Sequence, residues 1–336
     1  SKIKTIINAK NFYLTQSGSS ALEVASLLLS FKKNDEIILP SYTFSSTANS
    51  ILLANGKPVF VDINENDLCI NLQKAEKMIT KNTKAIYVVH YGGNSCDMDY
   101  AIYLKKKYNV YIVEDAAHAF LARYKNKYCG TIGDIGIFSF HQTKNFTSGQ
   151  GGGLVINNKK FVERSEIILN KGNTRNLSKE NYYLWKDVGS EYKMNEMAAA
   201  LLYNQILKYK KILNIRKKNF SFLEKEISLI KNKCFKIVTE NRYSDFGYHI
   251  LALVFNSKLT ANKFKNFMLN KKIQVMSHYF PLHKSKFGSQ FKSDKCNITE
   301  NIYSKLIRLP IHCAIKKNHL IKISKSINDF MRKKNK

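Results

Sequence analysis

"IGIFSFHQTKNFTSGQGGGLVI", residues 135–156, leaves a short apolar run, passes one lysine (Lys144), crosses a glycine-rich turn and enters a second apolar run. The runs "IGIFSF" (135–140) and "GLVI" (153–156) are brief, aliphatic and bounded by turn residues, the pattern of strands buried on both faces. Working outward, "EIILP" (36–40), "PVFVDI" (58–63), "AIYVVHY" (85–91) and "VYIVEDA" (110–116) share that pattern. Amphipathic stretches at 20–31, 45–55, 72–80 and 98–107 lie between several of them and predict helices. This alternation predicts an α/β fold with a mostly parallel central sheet flanked by helices. From about 195 to 230 the pattern is that of long helix. After 233 come shorter segments ("FKIV", "YHILALVF", "TANKFKNFML", "IQVMSHYF"), which predict a smaller C-terminal α+β domain. The expected division is a large domain over 1–215 and a small one over 216–336, packed firmly because no low-complexity linker separates them.

The chain has 336 residues, 44% of them hydrophobic, enough for a substantial core. No apolar run reaches the roughly 20 residues of a membrane span. No tripartite leader opens the sequence, so a cytoplasmic protein without membrane contact is expected. Its six cysteines (Cys69, Cys96, Cys129, Cys234, Cys296, Cys313) form no CxxC pair, so neither a metal site nor a disulfide framework is expected. The net charge of +30 comes mostly from lysines spread from Lys2 to Lys336 in a chain also rich in Asn and Ile, a bias that fits AT-rich coding. Such a field also favours a phosphate-bearing substrate. Zinc-finger spacing, RNP-type aromatics and a basic region before heptads are all missing, so no nucleic-acid partner is expected.

Ligands of open α/β sheets bind at the carboxyl ends of the strands. "EDAAH" (114–118), "SFHQTK" (139–144) and "SYTFSST" (41–47) occupy such ends, and "SGSSAL" (17–22) is a small-residue turn opening a helix, a ready anion site. Taken singly, each has a plainer reading: Lys144 is one lysine of many, Asp115 can cap a helix, His118 and His141 can be satisfied edge residues, and Phe44 can be core. Taken together they meet the needs of a ligand with a phosphate, an electron-poor ring and an aldehyde, such as pyridoxal 5'-phosphate. Lys144 is the candidate Schiff-base lysine, Asp115 the partner of the ring nitrogen, Phe44 or Tyr42 the stacking ring, and Gly18 with Ser19 the phosphate turn. The glycines after Lys144 are expected to let backbone crowd the cofactor and its attached substrate.

"LPSYTFSSTAN", "VFVDI", "VEDAAHA", "GTIGDIGIFSFHQTKNFTSGQGGG", "DVGSEYKMNEMAAALL", "SHYFPLH" and "IRLPI" occur in the order in which the DegT/DnrJ/EryC1/StrS sugar-nucleotide aminotransferases carry such motifs, and the chain resembles that family over nearly its whole length. The resemblance implies the fold type I architecture of pyridoxal-phosphate enzymes and a transaminase. It implies that glutamate donates an amino group to a nucleotide-linked keto-deoxy sugar for glycan biosynthesis. "PSYTF", "STAN", "FSFH", "TKN", "HY" and "PLH" are nearest to the branch giving dTDP-4-amino-4,6-dideoxygalactose, hence C4 of dTDP-4-keto-6-deoxyglucose. C3 amination of an isomeric dTDP-3-keto-6-deoxyhexose is the alternative, and an inactive homologue a further one. Lys144 argues against the family's sugar 3-dehydratases, which carry histidine there.

Carried onto this sequence, the resemblance makes Lys144 the lysine that holds the cofactor and shuttles protons, and Asp115 the residue on the ring nitrogen. Phe44 would stack on the ring, His118 would approach the phenolic oxygen, and Gly18, Ser19 and Ser139 would bind the phosphate. It also implies a homodimer with the active site at its interface, "DVGSEYKMNEM" (187–197) reaching toward the neighbour. Where relatives carry Asn and Arg in that segment, this chain has Glu191 and Lys193, and a carboxylate repels phosphate. Gln150 stands where relatives carry Glu. Relatives carry a few dozen residues ahead of the phosphate turn, so a longer N-terminus than Ser1 is expected.

Overall fold

The computed structural model describes residues 2–175, 177, 183–238 and 244–334. A seven-stranded sheet is built from β1 (Phe12–Thr15), β2 (Glu36–Pro40), β3 (Lys57–Val61), β4 (Thr83–Val89), β5 (Tyr111–Asp115) and, after the small hairpin β6 (Arg123–Tyr124) and β7 (Lys127–Tyr128), β8 (Ile135–Ser139) and β9 (Gly152–Ile156). Its order is β1-β9-β8-β5-β4-β2-β3. Pairings among β3, β2, β4, β5 and β8 are parallel, and β9 runs antiparallel to both its neighbours. The helices around it are α1 (Lys2–Ile6), α2 (Gly18–Leu28), α3 (Ser45–Leu53), α4 (Leu72–Lys77), α5 (Met98–Tyr108) and α6 (Val162–Leu169).

The strands read as continuous apolar runs because both faces are covered. Successive residues alternate between two cores: Ile38, Val59, Ile86, Val88 and Ile112 on one face, and Ile37, Leu39, Phe60, Tyr87 and Val113 on the other. The same period of two turns Glu114 and Asp115 to different tasks. Glu114 is fully buried, accepts the amides of Gly130 (2.7 Å) and Ile132 (2.6 Å), and meets His90 Nε2 at 3.0 Å. Asp115, one residue on, lines a cavity.

The expected long helix is two, α7 (Glu196–Leu207) and α8 (Tyr209–Ser228), which meet at Lys208. The apolar periodicity continues through the junction, so the pattern alone does not show the break. The boundary expected at residues 215 and 216 falls inside α8. Beyond it, β10 (Phe235–Ile237), β11 (Ser244–Asp245), β12 (Leu251–Phe255), α9 (Lys258–Asn270), α10 (Asn297–Tyr303), β13 (Leu306–Leu309) and α11 (Lys317–Lys334) follow. Strands β10-β12-β13 form an antiparallel sheet whose core includes α8, α9 and α11, while β11 joins the β6–β7 hairpin. The strand-like "IQVMSHYF" contributes only a bridge between Met276 and Arg308. The later chain is tied to the large sheet through Asp62: its buried carboxylate accepts Ile298 N (3.0 Å), Thr299 N (2.8 Å), Thr299 Oγ1 (2.8 Å) and Lys74 Nζ (2.9 Å).

Gly151 lines the same cavity as Asp115, and the glycines after Lys144 are also required by close approaches within the protein itself. A Cβ on Gly152 would stand 2.2 Å from Ser17 O and 2.6 Å from Gly18 N, and one on Gly151 would meet Met194 Cε at 2.5 Å. Gly152 lets the start of β9 pass against the turn that opens α2, and Gly151 leaves room for Met194. Gly152→Ala forces that turn away, and overpacking of this kind costs roughly 1–3 kcal/mol. A clear fall in Tm by calorimetry is expected, and an unchanged Tm would contradict this close approach.

Candidate active site

Lys144 sits in the loop joining β8 to β9. The loop is closed by Phe140 N donating to Gly151 O (2.7 Å), Ser148 N to Phe140 O (2.9 Å) and Gln142 N to Gly149 O (2.8 Å), with Gly149 at φ 78°. Beside it, a cavity of about 590 Å³ opens at the carboxyl ends of β5 and β8, within the size range of small-molecule sites. Gly18, Ser19, Phe44, Asp115, His118, Ser139 and Lys144 all line it. Tyr42, the other ring weighed for stacking, is buried against Tyr91 and Tyr279 and does not line the cavity.

The first turn of α2 leaves the Gly18 and Ser19 amides without intrahelical acceptors at the positive end of the helix dipole. Ser17 caps it, accepting Ser20 N at 2.9 Å. Gly18 is packed so close that a Cβ there would meet Ser139 Cβ at 3.0 Å, so two of the candidate phosphate residues are in contact. Ser19 Oγ lies 2.7 Å from Ser46 Oγ, which joins this turn to the start of α3.

Asp115 is 5% exposed; its Oδ2 accepts Thr47 Oγ1 (2.8 Å) and its Oδ1 accepts Ala117 N (3.1 Å). Burial raises its pKa, opposed by those hydrogen bonds and by Lys144. The half-buried Lys144 is pushed down to about 8, first by desolvation and further by Arg308, against the attraction of Asp115. Such a lysine is partly neutral near physiological pH and able to attack an aldehyde.

His118 lines the cavity and is also engaged within the protein. Its Nδ1 accepts Gly92 N at 3.2 Å and its Nε2 lies 3.1 Å from the Tyr279 hydroxyl, so both ring nitrogens have protein partners. Burial first, then Lys144 and the neighbouring histidines, hold it neutral. Two further histidines share this wall: His249, whose ring centroid is 4.5 Å from that of His118, and His278, lowered to about 3 by burial and by Arg308. Thr47, His249, Tyr279 and Arg308 carried no individual role in the sequence reading, although "SHYFPLH" and "IRLPI" contain two of them. "SYTFSST" and "SHYFPLH" meet because Ser41 Oγ lies 2.6 Å from His283 Nδ1, and the Tyr42 hydroxyl donates to His278 O.

Glu191 is paired with Lys171, so its charge is met within the chain. Its neighbours run beside the phosphate turn, Gln16 N donating to Tyr192 O at 2.9 Å and Thr15 bridging to Lys193.

A buried carboxylate, a lysine of depressed pKa and a helix start packed on a serine around one cavity fit a phosphate-bearing pyridine aldehyde. Residues 1–328 match the DegT/DnrJ/EryC1/StrS aminotransferase family. The chain belongs to this family. It is 31% identical to the UDP-4-amino-4,6-dideoxy-N-acetyl-beta-L-altrosamine transaminase of Campylobacter jejuni, over 91% of this chain and 81% of that one. It is 30% identical to the dTDP-3-amino-3,6-dideoxy-alpha-D-galactopyranose transaminase of Aneurinibacillus thermoaerophilus, over 98% and 88%. The fold superposes on Helicobacter pylori PseC, an aminotransferase involved in the biosynthesis of pseudoaminic acid, with a TM-score of 0.90 at 25% identity over 98% of this chain and 89% of that one. The chain is a pyridoxal-phosphate-dependent sugar-nucleotide aminotransferase of fold type I. Among the described residues no helix is long and apolar enough to cross a membrane.

The depressed Lys144 pKa sets a pH dependence. Lys144 is protonated and unreactive below about 8 and becomes a free amine above it. The rate at which the cofactor-free protein takes up pyridoxal phosphate covalently is expected to rise with pH through a midpoint near 8. A midpoint at the ordinary lysine value, about 10.4, would contradict the burial argument.

Proposed function

We propose that this enzyme moves an amino group from glutamate to C4 of a nucleotide-linked 4-keto-6-deoxyhexose, with dTDP-4-keto-6-deoxyglucose as substrate. The observation that carries this reading is the cavity shared by a lysine depressed to about 8 and a buried, hydrogen-bonded aspartate. Support for C4 comes from the local motifs around "PSYTF", "TKN" and "HY". The second reading is C3 amination, favoured by a relative named for a 3-amino product that is about as similar as one named for a 4-amino product.

Pyridoxal phosphate, when bound, supplies an aldehyde that accepts the amino group and a ring that draws electrons from the reacting carbon. The residues present fit it. Gly18 and Ser19, with Ser139 packed on them, would take the phosphate. Asp115, held from two sides by Thr47 and Ala117, would keep the ring nitrogen protonated, a cation that suits its buried charge. Phe44, on the cavity lining and 59% exposed in the single chain, would cover a ring face. His118 would act on the phenolic oxygen through Tyr279, since its own nitrogens are occupied.

Lys144 Nζ would hold the cofactor through its aldehyde. Once free, that amine takes the proton from the donor's α-carbon; in the second half-reaction it delivers a proton to the sugar carbon that gains nitrogen. A base with a pKa near the working pH suits both directions.

A homodimer with the site at its interface belongs to the same proposal. Trp185 and Met197 are 81% and 84% exposed, and Tyr183, Val188 and Leu201 extend this apolar surface along the segment before α7 and along α7 itself. A second copy would remove it from water.

The test supplies the purified protein with pyridoxal phosphate, glutamate and keto sugars linked to dTDP, UDP or GDP, and reads the product by NMR. Amination at C4 of the dTDP sugar is expected, from a species of twice the chain mass by light scattering. An amine on C3, or turnover confined to another nucleotide, would overturn the substrate assignment.

A further inference from the structure

Arg308 lies on β13, bound to the 276 segment by Arg308 N donating to Met276 O (2.8 Å) and Met276 N to Arg308 O (3.3 Å). Its side chain lines the cofactor cavity and also a second cavity of about 730 Å³. The two cavities share Thr143, Lys144, His249, Met276 and Arg308. The guanidinium presents five N–H donors. The one side-chain hydrogen bond it makes among the described residues goes from Nη2 to Met276 Sδ at 3.2 Å, a weak acceptor, and no carboxylate there lies within ion-pair distance. Other arginines are engaged: Arg164 donates to Asp187 (Nε to Oδ2, 2.6 Å), and Arg216 donates to the carbonyls of Tyr248 and His249, each at 2.8 Å.

Among the described residues Asp115 is the one carboxylate lining the first cavity, and it already accepts from Thr47 and Ala117; none of them lines the second cavity with a carboxylate. The site therefore carries a half-buried guanidinium fork without a counter-ion among the described residues, beside the lysine proposed to handle the reacting carbon's proton. A planar fork matches a carboxylate bidentately. Both substrates are anionic, but their charges sit at different distances from the chemistry. An amino acid's α-carboxylate is bonded directly to the carbon that loses its proton, whereas the diphosphate of a sugar nucleotide is separated from the keto carbon by the sugar ring.

We propose that Arg308 binds the α-carboxylate of the amino donor and so sets the donor's α-hydrogen toward Lys144. This rests on the amino-acid-donor reading given above.

The test compares wild-type holoenzyme with Arg308→Gln and Arg308→Lys, reading the two half-reactions separately by the absorbance of the bound cofactor. It also measures 2-oxoglutarate binding by calorimetry. In R308Q the visible band of lysine-bound cofactor is expected to persist. The glutamate concentration for half-maximal rate rises about tenfold or more, the loss of a charge-assisted fork, and 2-oxoglutarate affinity falls in parallel. Saturation by the nucleotide keto sugar stays within about twofold, and R308K recovers part of the loss. Unchanged glutamate saturation in R308Q, a shift in the nucleotide-sugar step instead, or loss of bound cofactor in both variants would each overturn the assignment. If wild type reacts with another amino acid but not glutamate, the donor's identity fails while the R308Q shift, read with that amino acid, still decides Arg308. Wild type inert toward every amino acid would refute both readings.

Discussion

A lysine and an aspartate of opposite charge share one cavity at the ends of neighbouring parallel strands, and much of the surrounding structure serves to hold them there. Burial alone would neutralise both, lowering the lysine and raising the aspartate. Each opposes the other's shift, and Thr47 and Ala117 add hydrogen bonds to Asp115, with His90 contributing as well, so its charge has four supports. Lys144 has fewer, with Asp115 for it and Arg308 against it, and settles near 8. The asymmetry suits the proposed chemistry: a fixed anion for a ring nitrogen and an amine free to bond, release and carry protons.

The other side of the site is closed by the later part of the chain. Asn145, next to Lys144, donates from Nδ2 to Gly247 O at 2.6 Å and meets His249 Nδ1 through Oδ1 at 2.9 Å. Arg216 fixes the same turn from α8 through the Tyr248 and His249 carbonyls. The lysine loop is thus clamped to the segment that carries His249 into β12, and three histidines held toward neutrality form a wall without charge of its own.

Much of this was legible in the sequence. β2 spans the residues of "EIILP", β8 and β9 lie on the apolar runs flanking Lys144, and α3 begins at the expected residue. Strands buried on both faces leave an unbroken apolar signal, and that signal carried the parallel sheet. β1 (Phe12–Thr15) was missed because "FYLT" is four residues long and gains its stability from pairing with distant β9, which no local pattern shows. The break at Lys208 was hidden by continuous periodicity. In the site, residues next to distinctive local chemistry, Lys144 before its glycines and Asp115 at its strand end, could be read directly. Tyr279 and Arg308 could not, because their meaning lies in contacts across more than a hundred residues of sequence. The glycine run was noticed for its position, but the close approach of Gly152 to the backbone of Ser17 and Gly18 involves another element and leaves no local signal.

The central claim is that Lys144, and no other lysine of this basic chain, holds the cofactor. The most direct test equilibrates the protein with pyridoxal phosphate, reduces it with borohydride and maps the modified peptide by mass spectrometry, alongside Lys144→Ala. The account predicts one stoichiometric pyridoxyl group on Lys144, removed by adding excess glutamate before reduction and missing from the variant. Modification scattered over surface lysines, or a single site elsewhere that persists in the variant, would contradict it.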